Sequence, residues 1–212
     1  RWRAAGRARP RRLGQRHPDD AGLYRDGRLP PAFDAFGRAL ELDSTFAPAA
    51  LWRAYVGWGA FVFGSPVKRR ADSVAWSLRA RLRRGDSLVL AALPSIGPNY
   101  PDASTTAELL AAQERATRSN PDRPEVWYDW ARHLYAFGRQ ASVENHLQLA
   151  AYAADSAIAL DSTFVPAINH RLYMAVLLRD KPAIHKYLRV LNAFDTSAHS
   201  IRWAAARVLG DR

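Results

Sequence analysis

Apolar residues recur along most of this chain at helical spacing. The clearest case is the stretch NPDRPEVWYDWARHLYAFG, Asn120 to Gly138. Here Trp127, Trp130, Ala131, Leu134 and Gly138 fall at i, i+3, i+4, i+7 and i+11, which is one helical face. Pro121 disfavours helical geometry at Asn120. Asp122 is expected as the N-cap, with Pro124 and Glu125 in the first turn. Gly138 is expected to end the helix in the left-handed conformation. Ala131, small and mid-face, leaves room for a close partner helix, and a face of this kind needs such partners to be buried.

The same pattern predicts helices on both sides. Leu23–Leu42 carries Phe33, Phe36 and Leu40 on its apolar face, with Ala39 beside them and Pro30 and Pro31 at its start. Pro48–Phe63 places Leu51, Ala54, Tyr55, Trp58 and Val62 on one side. Val67, Ala71, Val74, Leu78 and Leu82 mark a further helix ending in the basic run Arg79–Arg84, where cations suit the helix C-terminus. A short apolar helix is expected over Asp86–Leu93, a loop dense in Pro and Gly over Pro94–Ser104, and a helix over Thr105–Ser119. Gln140–Leu160 reads as one long helix with Val143, Leu147, Ala150, Ala154, Ala157 and Ile158 on one face. Helices over Val165–Leu178, from Pro182, and over Ser197–Leu209 complete the chain. No strand-like alternation persists, so the fold class is all-α.

One phrase occurs twice, LDSTFAPA at Leu42–Ala49 and LDSTFVPA at Leu160–Ala167. Its expected logic is local: a helix ends near the Asp, a Ser or Thr caps the next, Pro enters the new first turn, and the Phe staples the junction.

The Asn120–Gly138 stretch resembles the tetratricopeptide repeat, a two-helix unit, at Pro121, Trp127, Ala131 and Gly138, with Trp130 in place of the usual Leu and Leu134 in place of the usual Tyr. The resemblance implies a right-handed α-solenoid of divergent helical hairpins over residues 23–212, interrupted by an insertion. More widely, YRDGRLPPAFDAFGRALELDSTF, IGPNYP, WYDWARHLYAFG and ALDSTFVPA followed by LLRD resemble the repeat-bearing C-terminal regions of bacterial serine/threonine protein kinases and related regulators. This chain has no kinase glycine-rich loop and no catalytic-loop signature. The resemblance therefore implies a catalytic domain upstream, outside these residues. It also implies an extracytoplasmic position if a transmembrane helix intervenes, and a cytoplasmic one if the unit stands free.

In the repeat family, the first helices of successive units line a concave face that receives peptides. The positions pointing off the packing face are Leu51, Tyr55 and Trp58 in one such helix. In the Asn120–Gly138 helix they are Glu125, Tyr128, Arg132 and Tyr135, and in a third they are Asn169, Tyr173 and Val176. Tyr and Arg dominate binding hot spots, but large aromatics also pack between helices. Exposure distinguishes the two roles.

Composition narrows the chemistry. The chain has 212 residues, 48% of them hydrophobic, enough for a core. It has no Cys, which excludes disulfides and thiolate chemistry. It opens on Arg1 and its single Met is Met174, as expected for a segment of a longer protein. The longest uncharged apolar run, Ala54–Val67, has 14 residues and is too short to span a bilayer. Net charge is +11, but residues 1–16 hold seven Arg and no acid. Residues 1–22 are read as a disordered or poorly packed lead-in. An alternative function follows from this charge: binding of nucleic acid or an anionic surface through the lead-in and Arg79–Arg84. The six His residues show no zinc-type spacing and read as surface or interhelical polar groups. Asp129 is expected to face solvent or an Arg. No nucleophile, phosphate-loop or paired-carboxylate motif is found, so no catalytic residue, metal or cofactor is expected. The implied partner is a protein or peptide.

Overall fold

The computed structural model describes residues 18–60, 65–193 and 199–210. The arginines of residues 1–16, together with Val62, lie outside the described residues. From Pro18 onward the chain is helical, so the last part of the expected lead-in belongs to a helix. Eleven α-helices are described: α1 (Pro18–Arg25), α2 (Leu29–Leu42), α3 (Ala47–Ala60), α4 (Pro66–Ser77), α5 (Arg84–Ala91), α6 (Thr106–Ser119), α7 (Pro124–Phe137), α8 (His146–Leu160), α9 (Val165–Leu177), α10 (Lys181–Ala193) and α11 (His199–Leu209). A 3-10 turn covers Arg79–Arg81. No strand occurs among the described residues. None of their helices is long and apolar enough to cross a membrane.

Helices pack chiefly on their neighbours in sequence, and the α7–α8 contact is the most extensive. The reason lies in α8, which buries Ala150, Ala151, Ala153, Ala154 and Ala157. Methyl-sized side chains let its backbone lie close to α7, which answers with Trp127, Trp130, Ala131 and Leu134, all buried. One apolar core extends from α1 to α9, where it takes in Ala167 and Met174, and a second joins Ile168 and Leu172 of α9 to Ile184, Tyr187 and Leu191 of α10 and Ala205 of α11.

The repeated LDSTF phrase builds the same turn twice, though by other bonds than expected. Asp43 Oδ1 accepts from the Thr45 backbone N–H at 2.9 Å and from Thr45 Oγ1 at 2.8 Å. Asp161 does the same for Thr163, at 3.0 and 2.7 Å. The Asp thus closes a local turn of the kind its short side chain favours. Neither Ser nor Thr caps α9; its N-cap is Phe164, with no side-chain bond. The ring of Phe164 spans further than a local staple, packing 5.4 Å from Tyr24 and 5.3 Å from Tyr128, centroid to centroid.

Four other expectations are corrected. Gly138 is right-handed (φ −58°, ψ −41°). The N-cap of α7 is Arg123, not Asp122. The helix expected from Gln140 begins only at His146, because residues 139–145 form turns with Ser142 at φ 57°. The buried face of α4 is Lys68, Ala71, Asp72 and Ala75, while Val67 is exposed. A charged pair occupies core positions there: Lys68 Nζ donates to Asp72 Oδ1 and, at 2.6 Å, to Ser95 Oγ. The Pro- and Gly-rich segment carrying Ser95 thus packs on α4, with Tyr100 against Trp76 at 4.9 Å.

Candidate functional site

Three helices expected to present a common face, α3, α7 and α9, surround a cavity of about 460 Å³. Tyr55 fixes the α3–α7 register. Its hydroxyl donates to the Glu125 carbonyl at 2.7 Å and lies 3.4 Å from the Tyr24 hydroxyl. The remaining walls come from distant parts of the chain. Tyr24, Gly27 and Leu29 stand at the α1–α2 junction, and Ile201 comes from the first turn of α11. Arg25 Nε pairs with Asp161 Oδ2 at 3.4 Å, which ties α1 to the turn before α9.

Five of the expected groove residues line this space: Tyr55, Tyr128, Arg132, Asn169 and Tyr173. The others do not. Leu51 is fully buried in the core. Glu125 is buried, and its carboxylate accepts from Arg123 Nε at 2.8 Å. Both helix positions point into neighbouring helices once α3 and α7 are packed together. Trp58 lies behind the wall as a shelf, its ring 3.7 Å from the Arg132 guanidinium carbon and 5.2 Å from the His133 ring. Tyr135 is 38% exposed and stands at the rim, its hydroxyl 3.0 Å from that of Tyr173, which is 37% exposed. Val176 is partly buried and packs with the second core.

The chemistry centres on Arg132. Its guanidinium lies between the rings of Trp58 and Tyr128, the latter at 5.4 Å. Its nearest carboxylate oxygen, Asp129 Oδ1, is 3.8 Å away, beyond hydrogen-bond reach. Asp129 itself does not face solvent. It is buried beside His133, whose Nδ1 lies 2.7 Å from the Asp129 carbonyl. Burial raises the Asp129 carboxyl above the usual carboxylate range and lowers His133. Burial also raises the phenols of Tyr24, Tyr55 and Tyr128, which remain neutral donors at pH 7.

His170, on the cavity wall, was not among the expected groove residues. Burial and then the charge of Arg132 lower it to about 4. Its Nε2 and the Asn169 Oδ1 are buried without a hydrogen-bond partner. The signal was present in the sequence, because Pro166, Asn169, His170 and Tyr173 fall at i, i+3, i+4 and i+7 and all four line the cavity.

The shift at His170 has a definite sign. Above its ordinary value of 6.5 the ring is neutral in both folded and unfolded chains. Between 6.5 and about 4 only the unfolded chain takes up the proton, so stability falls as pH drops through that window. His133, also lowered, acts in the same direction. Urea titrations across this range are expected to show a shallower loss for His170→Gln than for the parent chain. Equal slopes would refute the assignment to His170.

A second cavity, about 440 Å³, lies between α8, α9 and α10. Arg171 Nε donates to Asp155 Oδ1 at 3.0 Å and its Nη2 lies 3.6 Å from Asp180 Oδ2, so its cation is matched by two carboxylates. No protein-family model matches this chain, and no curated protein matches it.

Proposed function

We propose that this chain is a non-catalytic interaction module, a solenoid of tetratricopeptide-like hairpins, that docks a partner segment on the face formed by α3, α7 and α9. The observation that carries this reading is the convergence of Tyr55, Tyr128, Arg132, Asn169 and Tyr173, from three separate helices, on one cavity. The exposed pair Tyr135 and Tyr173 at its rim supplies aromatic anchors with free edges. The resemblance to kinase-associated repeat regions supports a place in a larger bacterial signalling protein.

Peptides selected on the intact chain from a random display library at high salt test the reading. Binding is expected to fall about tenfold or more on Tyr173→Ala and on Tyr128→Ala, the loss typical of an aromatic anchor. Selection of no peptide that these variants reject would sink it. Capture only of salt-sensitive nucleic acid, indifferent to both substitutions, would instead favour the basic surface, whose Arg79, Arg81, Arg83 and Arg84 are exposed.

A further inference from the structure

The cavity between α3, α7 and α9 has a shape and a charge that go beyond the docking of a chain segment. The α1–α2 junction adds Tyr24, Gly27 and Leu29 to its wall, and α11 adds Ile201. The volume, about 460 Å³, falls in the range of small-molecule sites. Four tyrosines, Tyr24, Tyr55, Tyr128 and Tyr173, supply flat apolar walls.

The charge is set by one residue. Among the described residues Arg132 is the only ionised side chain on the wall at neutral pH, because His170 is neutral there and no carboxylate among them lines the space. Its side chain is 19% exposed, its ion-pair partner Asp129 stands 3.8 Å away behind the wall, and no acceptor among the described residues takes a hydrogen bond from it. The close contact with the Trp58 ring restrains the guanidinium, so less side-chain entropy remains to be lost on binding. The hydroxyl of Tyr128, with no hydrogen-bond partner among the described residues, adds a neutral donor. One cation and one neutral donor beside aromatic walls match a planar carboxylate. A turn of the Asn169 side chain, whose Oδ1 is buried without a donor, would bring that acceptor to a hydroxyl or N–H group carried by the same ligand.

We propose that this cavity binds a small planar organic monoanion, a carboxylate on an aromatic or unsaturated ring. Arg132 pairs with the carboxylate in a fork, Tyr128 donates to it, and the ring lies among the tyrosines. The module is then a sensor of a small acid as well as a docking surface.

The test is titration of the full chain with benzoate and 4-hydroxybenzoate, with benzyl alcohol as the neutral isostere. Calorimetry and the fluorescence of Trp58, stacked on Arg132, provide the readouts. Benzoate is expected to bind at one site about tenfold or more tighter than benzyl alcohol, the gain typical of a charge-assisted pair. 4-Hydroxybenzoate is expected to bind tighter still. Arg132→Gln should erase the preference for the anion and Tyr128→Phe should weaken benzoate several-fold, with unfolding curves run to confirm that both variants fold. If Arg132→Gln does not fold, the shift of the Arg132 Nε–H resonance in the parent chain on adding benzoate decides the matter. Benzoate binding no tighter than benzyl alcohol, no binding of either, or an unmoved Arg132 resonance overturns the proposal. Selected peptides that bind while benzoate does not leave the docking surface standing; benzoate binding without any peptide leaves only the sensor.

Discussion

Replacing Lys68 by methionine is expected to lower the unfolding free energy by about 3–5 kcal/mol, the usual cost of breaking a buried ion pair from one side. The side chains of Lys68 and Asp72 are 1% and 5% exposed, so solvent cannot screen the carboxylate left behind. Burial already raises the Asp72 carboxyl and lowers the Lys68 amine, each held partly in check by the other. Without Lys68, the restraint on Asp72 is gone and its folded-state value lies further above that of the unfolded chain. A group raised in this way favours the fold below its unfolded value and loses that contribution as pH rises through the folded value. The variant is therefore expected to be most stable in acid and to weaken toward neutrality. The double variant Lys68→Met, Asp72→Leu should recover most of the loss, since apolar replacement of a whole buried pair is often neutral or stabilising. Urea unfolding followed by circular dichroism measures all three. A single variant within about 1 kcal/mol of the parent would mean that water reaches the pair.

Gly138→Ala is the second large effect, expected at about 1–3 kcal/mol. The backbone there is ordinary helix, so strain in φ is not the cause. Space is the cause: a Cβ would lie 2.3 Å from the Cβ of His146 and 2.4 Å from the Leu134 carbonyl oxygen. Neither atom is the end of a flexible side chain, so the start of α8 must move. Gly22→Ala is the control. It sits within α1 with nothing within 4 Å of the new methyl, and the exchange should stabilise by a few tenths to about 1 kcal/mol. Equal thermal midpoints for the two variants would contradict the steric account.

These two sites also show where the sequence was legible. Period and proline placement identified nearly every helix, because amphipathic spacing with Pro in the first turn is a local signal. Gly138 was correctly singled out but for the wrong reason: a helix-ending Gly and a Gly under a close contact look alike in one dimension. The α4 face was misread by one position. Lys68 and Asp72 stand at i and i+4 as a solvated pair would, and only Ser95, arriving from a loop, together with Phe33 and Gly57 packed near the lysine stem, marks them as interior. At the cavity, Tyr55, Tyr128, Arg132, Asn169 and Tyr173 were legible from helix faces alone. Tyr24, Leu29 and Ile201 were not, since nothing local records that the end of α1 and the start of α11 share a cavity with α9. Leu51 and Glu125 were assigned to the groove because spacing gives a direction from the helix axis but not what stands opposite.

The alanines of α8 bear on the cavity though none lines it. Arg132 and Tyr128 sit on α7, and the position of α7 is set by how near Ala150, Ala151, Ala153, Ala154 and Ala157 allow it to rest on α8. A thicker side chain at any of these positions displaces α7 as a body and carries Arg132 with it toward α3 and α9. The bore of the cavity is thus gauged from the back of the molecule, like a die held open by shims. Variants that differ only in the girth of α8 are expected to have cavities of different width with every residue of the lining unchanged.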